Sequence, residues 1–271
     1  VFEETTMDRL TPAQCAEAFQ AVYKGYLMAI HVDENWFQDH VNRNCIHLNR
    51  SPLWRDSRGE PVALALLGLR SGQADRPRGW VGGFGIIPEF RGQGLAAPLI
   101  DAVLTQAEGV NAESVQLEVL VDNKPAYKTY ESSGFEVRRR LVSLTCPFAC
   151  RPSEKPDADL EEWNLVPPSP SKVPVAWQRE LPWAVKNGGK VLLADRAWLR
   201  FRATQRKVFI YDCAFEDVDD LDNIVADLKY YHPEQSIVAV NEPPGTDLCA
   251  ALASLNWVES APQWEMHYVP E

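Results

Sequence analysis

Between Pro147 and Pro174 the chain carries seven of its 20 prolines, interleaved with acidic residues and serines. Proline fixes φ and removes a backbone donor, so such a stretch cannot be a regular core element and reads as an extended connector. It divides the 271 residues into about 146 before it and about 100 after it, each of domain size. The expected organisation is a first domain over residues 1–146, a Pro-rich linker over 147–175 and a second domain over 176–271.

Composition supports two ordinary cores. Hydrophobic residues make up 45% and charged residues 24%, the balance of a soluble globular protein. Lys plus Arg is 27 against 38 Asp plus Glu, giving a formal charge of −11. That excess disfavours nucleic acid and anionic membrane surfaces as partners and favours cationic ones. The longest apolar stretch, Val62 to Leu69, is strand-sized and far short of the ~20 residues that span a bilayer. The first ten residues lack the basic start and apolar run of a signal peptide, so a cytoplasmic location is expected. Six cysteines and five histidines form no metal-spaced group; free thiols in a reducing compartment are expected, with no metal.

The first half alternates helix and strand signals. Thr11-Pro12-Ala13-Gln14 is a helix start, with a Thr cap, Pro at the first helical position and Gln to complete a capping box. A second helix is expected over Asp33 to about Val41, and strands over Pro52–Asp56, Val62–Leu69 and Trp80–Ile87. Apolar residues at 95, 99, 103, 104 and 107 have helical spacing, and Gly109 is expected to end that helix. Val115–Val121 is a strand, Pro125–Ser133 a helix closed by Gly134, and Phe135–Leu144 a strand. This pattern predicts α/β layering.

The second half repeats the order. Val191–Ala194, Trp198–Arg202 and Lys207–Asp212 read as an antiparallel run, with Asn187-Gly188-Gly189 as a turn before it. Helix Asp217–Tyr231, strand Ser236–Val240, helix Thr246–Leu255 and strand Trp264–Val269 follow. A shift of 122 lays Ser114–Val119 over Ser236–Asn241, Gly134 over Asn256 and Phe135 over Trp257. Asn is the usual second choice to Gly at a left-handed helix end, so a tandem duplication is the better explanation of the match.

Phe84-Gly85-Ile86-Ile87-Pro88-Glu89-Phe90-Arg91-Gly92-Gln93-Gly94-Leu95-Ala96-Ala97 carries the chemistry. A strand runs through a glycine turn directly into a helix, whose first N–H groups and positive dipole end suit a phosphate. No Gly-Lys-Ser/Thr ends the turn and no G-x-G-x-x-G is present, so neither a Walker loop nor a Rossmann site is indicated. The glycines at 82, 83 and 85 weaken the strand, which suggests a bulge and close cofactor approach, with loose packing against a neighbouring helix as the alternative.

Arg91-x-x-Gly94-x-Ala96 resembles the Gln/Arg-x-x-Gly-x-Gly/Ala signature of the GCN5-related N-acetyltransferases, the GNAT superfamily. Leu117-Glu118-Val119, Asn123, Ala126, Tyr130 and Gly134-Phe135 resemble that family's second motif in identity and spacing. The resemblance covers about 55 residues, Trp80 to Phe135. It implies an α/β fold with a mixed sheet, as two tandem acyl-CoA N-acyltransferase folds: a catalytic first copy and a degenerate second. It also implies acetyl-CoA as cosubstrate and a small amine or peptide amine as acceptor.

By the same resemblance, the strand residues Phe84, Gly85 and Ile86 hold the pantetheine. Gly92, Gln93, Gly94, Leu95, Ala96 and Ala97 supply the pyrophosphate site. Pro98 departs from the common pattern but falls in the first helical turn, where proline is tolerated. Asn123 matches a position that contacts CoA, and an Asn before a helix is also a plain cap.

Attack of an amine on a thioester needs a proton removed, an oxyanion stabilised and a thiolate protonated. Tyr130 matches the family's acid, Glu118 the carboxylate that some members use as base, and backbone N–H at Ile86 or Ile87 the oxyanion donor. The acceptor site would involve the first two helices, including Tyr26, His31, Asp33, Glu34, Trp36 and Phe37. An acyl-CoA-binding sensor or scaffold without transfer is the alternative.

In the second half the corresponding stretch, CAFEDVDDLDN, has no glycine and several acids. The 122-residue shift places Leu252 at the Tyr130 position and Val240 at the Glu118 position. One acetyl-CoA per chain is therefore expected.

Overall fold

The computed structural model describes residues 2–27, 31–147, 150–162, 173–180 and 188–270. The chain divides into two compact units: Val1–Arg139 with Trp264–Glu271, and Arg140–Gln263.

Unit 1 opens with strand β1 (Glu3–Thr6) and helix α1 (Pro12–Val22). The capping box forms as expected: Thr11 Oγ1 accepts from Gln14 N–H at 3.3 Å, and Gln14 Oε1 accepts from Thr11 N–H at 2.9 Å. Helix α2 (Glu34–Asn44) is capped by Asp33, whose carboxylate accepts from Trp36 N–H at 2.7 Å. Strands β2 (Pro52–Arg55), β3 (Pro61–Ser71) and β4 (Pro77–Ile86) form an antiparallel series beside β1. Helix α3 (Ala96–Glu108), strand β5 (Ser114–Leu120) and helix α4 (Lys124–Ser132) follow.

The apolar stripe of α3 behaves as its spacing predicts. Leu99, Ile100, Val103, Leu104 and Ala107 are buried in one core with Val115, Leu117 and Val119 of β5. Each buried Leu, Ile or Val among them contributes about 1.5–3 kcal/mol by burial, which fixes the helix against the sheet. Gly109 follows α3 but with φ −61°; the left-handed residue is Asn111, at φ 56°, so the helix end differs from the expected glycine cap.

In β4 the register shifts opposite Leu66 and Leu67, and Gly82 is the extra residue of the bulge. At Gly83 and Gly85 the close neighbour is α1. A Cβ there would lie 2.5 Å from the Phe19 ring and 2.8 Å from Val22 Cβ. Helix packing, rather than cofactor approach, accounts for the missing side chains on that face.

Unit 2 contains strands β7 (Asp159–Glu162), β8 (Gly189–Leu193), β9 (Ala197–Ala203) and β10 (Lys207–Phe215), an antiparallel series. Helix α5 (Val218–Tyr231), strand β11 (Ser236–Glu242) and helix α6 (Asp247–Ser254) complete the repeated order, with β10 and β11 parallel. Its core joins Leu221, Ile224, Val225 and Leu228 of α5 to Ile210, Ile237 and Leu252.

The 122-residue shift holds in detail. Gly134 and Asn256 both take left-handed conformations, φ 86° and φ 60°. Phe135 N–H donates to Tyr130 O at 3.0 Å, and Trp257 N–H donates to Leu252 O at 3.0 Å.

The proline reading needs two corrections. Strand β7 lies inside the stretch read as an irregular connector. Residues 159–162 are proline-free and pair with β8 as a fully exposed strand at the end of the series, where one side of the ladder needs no partner. The division between units also falls within strands, not at prolines. Strands β6 (Glu136–Thr145) and β12 (Val258–Tyr268) each give one end to unit 1 and the other to unit 2. In unit 1, Arg139 of β6 forms a two-point pair with Glu265 of β12, at 3.0 and 2.8 Å, and Met266 enters the core. These contacts hold the last residues with the first unit. The expected connector over 163–172 and the turn residue Asn187 lie outside the described residues.

Candidate active site

Strands β4 and β5 are parallel but share a ladder only over Arg78–Trp80 and Ser114–Gln116. Beyond Trp80 they part. Antiparallel pairing sends alternate N–H groups of β4 toward β3. Ile87 N–H, just past the strand, donates to Val62 O at 2.8 Å, so it is engaged and is not available to an oxyanion. The alternation turns the N–H groups of Phe84 and Ile86 to the opposite edge, where Phe84 N–H donates to Tyr23 Oη at 3.3 Å. Of the two expected donors, Ile86 is the one whose geometry suits the role.

The turn after β4 is held by Arg91. Its guanidinium donates to Ile86 O at 2.9 Å, Val22 O at 2.9 Å and Lys24 O at 3.2 Å, tying the loop to the end of β4 and to the C-terminus of α1. Gly92 and Gly94 take φ 75° and φ 77°, which side-chain-bearing residues adopt only at a cost. Gln93 and Leu95 complete the turn, and Ala96 and Ala97 open α3. No side chain caps α3, and no acidic residue stands in its first turn. Its first N–H groups lack intrahelical acceptors and carry the positive end of the dipole. Pro98 is the third helical residue, where its missing N–H costs little. The turn fits a phosphate-bearing ligand.

Tyr130 lies on α4 with its ring buried, edge-on to Phe84 at 5.6 Å and to Phe135 at 5.9 Å. Burial first, then the nearby phenols of Tyr23 and Tyr26, push its pKa well above the ordinary value. The phenol therefore stays protonated at neutral pH and has a proton to donate. Tyr23 and Tyr26 have phenols raised by burial as well, and their rings meet edge-on at 5.1 Å. Tyr23 was not a sequence-based candidate; the Tyr-x-x-Tyr spacing around the end of α1 was the available signal.

Glu118 is half-buried on β5, and its Oε2 accepts from the Trp80 indole N–H at 2.8 Å. Its neighbours Leu117 and Val119 point into the α3 core, so Glu118 stands on the other face. Asn123 caps α4, accepting from Ala126 N–H at 3.4 Å, and its side chain also bonds Tyr26.

Of the expected acceptor-side residues, Phe37 is core and Asp33 is committed to capping α2. Trp36 stacks on His40 at 5.0 Å. His40 Nε2 lies 2.8 Å from Gly82 O and Nδ1 lies 3.1 Å from Asn44 Nδ2, the pattern of a neutral ring donating from Nε2. Burial lowers its pKa to about 4, which removes it as a candidate base. Tyr26 is half-buried, while His31 and Glu34 are exposed.

No helix among the described residues is long and apolar enough to cross a membrane. Residues 14–135 match the acetyltransferase (GNAT) family model. Over 64 residues the chain is 39% identical to N-alpha-acetyltransferase 30 of Schizosaccharomyces pombe, covering 24% of this chain and 43% of that protein. Over 53 residues it is 42% identical to mycothiol acetyltransferase of Corynebacterium aurimucosum, covering 20% of this chain and 17% of that protein. These matches span less than half the length of either relative.

Among solved structures, a tandem GNAT protein from the clavulanic acid biosynthesis pathway aligns over 100% of both chains with TM-score 0.71 and 14% identity. A GCN5-related N-acetyltransferase from Sphaerobacter thermophilus aligns over 99% of this chain and 95% of that one, with TM-score 0.69 and 14% identity. At these identities the likeness concerns the fold.

Proposed function

Because this chain belongs to the GNAT acetyltransferase family through residues 14–135, we propose that unit 1 transfers the acetyl group of acetyl-CoA to a primary amine by direct attack. The observation that carries this reading is the uncapped start of α3, reached through the glycine turn that follows β4. Bound there, acetyl-CoA supplies the thioester. Phe84, Gly85 and Ile86 hold the pantetheine along the parted edge of β4. Gly92, Gln93, Gly94, Leu95, Ala96 and Ala97 hold the pyrophosphate, and Asn123 contributes a polar contact from α4.

Three tasks remain for the chain. Glu118, positioned by Trp80, takes the proton that the amine loses, through water. Ile86 N–H donates to the developing oxyanion. Tyr130, kept protonated by its surroundings, gives its proton to the departing thiolate. A carbon–nitrogen bond forms, the carbon–sulfur bond breaks, and the acid and base exchange their protons through solvent afterwards. The acceptor is a small amine or the amine of a peptide, with cationic acceptors favoured by the net charge of −11.

A screen of small amines and peptides for CoA release from acetyl-CoA tests the proposal. Turnover that depends on both Tyr130 and Glu118 supports it. Tight acetyl-CoA binding with no release for any amine would favour the sensor or scaffold reading.

A further inference from the structure

In unit 2 the parallel ladder joins Lys207–Ile210 to Ser236–Ala239 and goes no further. Past that point β10 shifts register against β9, and β11 shifts against β6. The two strands open a cavity of about 580 Å³ beyond their carboxyl ends. That volume lies in the ~300–1,000 Å³ range of small-molecule sites, and the place is where ligands bind in open α/β sheets.

The walls define the chemistry. Val175, Phe215 and Leu248 give apolar surface. Among the described residues, four carboxylates line the cavity, Asp212, Glu216, Glu242 and Asp247, with one guanidinium, that of Arg179. Arg179 is buried and committed: it pairs with Glu242, and its Nε donates to Tyr211 O at 2.9 Å. Asp212 pairs with Arg200 at 3.0 Å, and Glu216 with Arg196 at 2.9 Å on the exposed rim. Asp247, also exposed, has no cationic partner among the described residues.

The helix ends bordering this region are capped from within the chain. Thr246 caps α6, accepting from Cys249 N–H at 3.2 Å, and Asp217 caps α5, accepting from Asp220 N–H at 3.0 Å. An anion would find those donors occupied and several carboxylates opposing it. A cation meets the reverse.

We infer that unit 2 carries a ligand crevice of its own, which takes a small organic cation: an ammonium group with an apolar body. The ammonium sits against the Glu216 and Asp247 side of the rim, and the body lies on Val175, Phe215 and Leu248. The binding is independent of the transfer reaction proposed for unit 1.

The probe is phenethylammonium, titrated into the full chain by calorimetry, with 3-phenylpropionate as its anionic counterpart. Saturable binding of the ammonium and none of the carboxylate is expected, weakening as salt is added. Charge reversal of both exposed rim acids, Glu216→Lys with Asp247→Lys, should weaken it at least ~10-fold, reading the lost attraction of two carboxylates and the new repulsion. Gly94→Glu should leave it unchanged, which separates it from amine binding that depends on acetyl-CoA in unit 1. Circular dichroism checks that each variant is folded. Absence of ammonium binding at millimolar concentration, equal affinity for the carboxylate, or unchanged affinity in the folded rim variant would each overturn the inference.

Discussion

Helices α3 and α5 occupy the same place in their units, each following the strand that pairs in parallel with the next one, yet their N-termini are built in opposite ways. The start of α3 follows two left-handed glycines, has no capping side chain and has no acid in its first turn. The start of α5 has a complete capping box between Asp217 and Asp220, with Asp219 beside them. Arg196 bridges Glu216, Asp217 and Asp220 at the surface. One helix start leaves its first donors without a side-chain cap; the other has a capping box within the chain. Two units with the same order of elements thus differ at this helix start through a handful of side chains. The contrast extends to the next helix, where buried Leu252 stands at the position of Tyr130.

The largest expected effect breaks the open site. Gly94→Glu puts a carboxylate where the proposal sets the pyrophosphate, and like charges at ~4 Å repel by about 4 kcal/mol at an effective dielectric of 20. Acetyl-CoA affinity should fall by about 10³-fold or more by calorimetry, while circular dichroism stays unchanged in this exposed turn. Unchanged affinity in a folded variant would remove the turn from the site.

Tyr130→Phe comes next. The ring packing against Phe84 and Phe135 is retained and only the proton donor is lost. Turnover should drop by roughly 10²-fold with acetyl-CoA affinity nearly constant. A parallel loss of affinity would mean that the phenol holds the cofactor instead. Glu118→Gln keeps an oxygen for the Trp80 indole and removes the carboxylate. A loss of roughly 10²-fold at most, together with a flattened acid limb of the pH–rate profile, is expected of a lost base. An unaltered profile would move proton removal to water or to the acceptor.

The last effect concerns stability. His40 is held neutral by burial, with its pKa lowered from 6.5 to about 4. The unfolded chain therefore takes up the proton first as pH falls, and stability is lost between about pH 6.5 and pH 4. The full loss is about 3 kcal/mol by linkage, enough to lower Tm by several degrees. His40→Gln should remove that part of the pH dependence in thermal melts at pH 7 and pH 4.5. Equal slopes in variant and wild type would show that other groups control acid stability.

Much of the frame was legible in the sequence because local chemistry specifies it. Thr11 and Gln14 announce α1, the apolar spacing announces α3, and Gly134 and Asn256 announce matching helix ends. What was not legible depends on pairing between distant segments. The return of Trp264–Tyr268 to unit 1 depends on Arg139 meeting Glu265, 126 residues apart. Strand β7 carries no inward apolar residue to mark it. At the candidate site, the left-handed glycine turn and the placement of Tyr130 on a helix and Glu118 on a strand were readable, whereas their packing partners were not. The Tyr23 hydroxyl, the Trp80 indole and the neutral His40 act through packing across the sheet. Ile87 looked equivalent to Ile86 until the strand alternation assigned its N–H to Val62.

The most direct test of the difference between the two helix ends is the stoichiometry of acetyl-CoA, measured by calorimetry on the intact chain. The account predicts one equivalent per chain, abolished by Gly94→Glu and unaffected by Glu216→Lys with Asp247→Lys. Two equivalents, or one equivalent that survives Gly94→Glu, would contradict it.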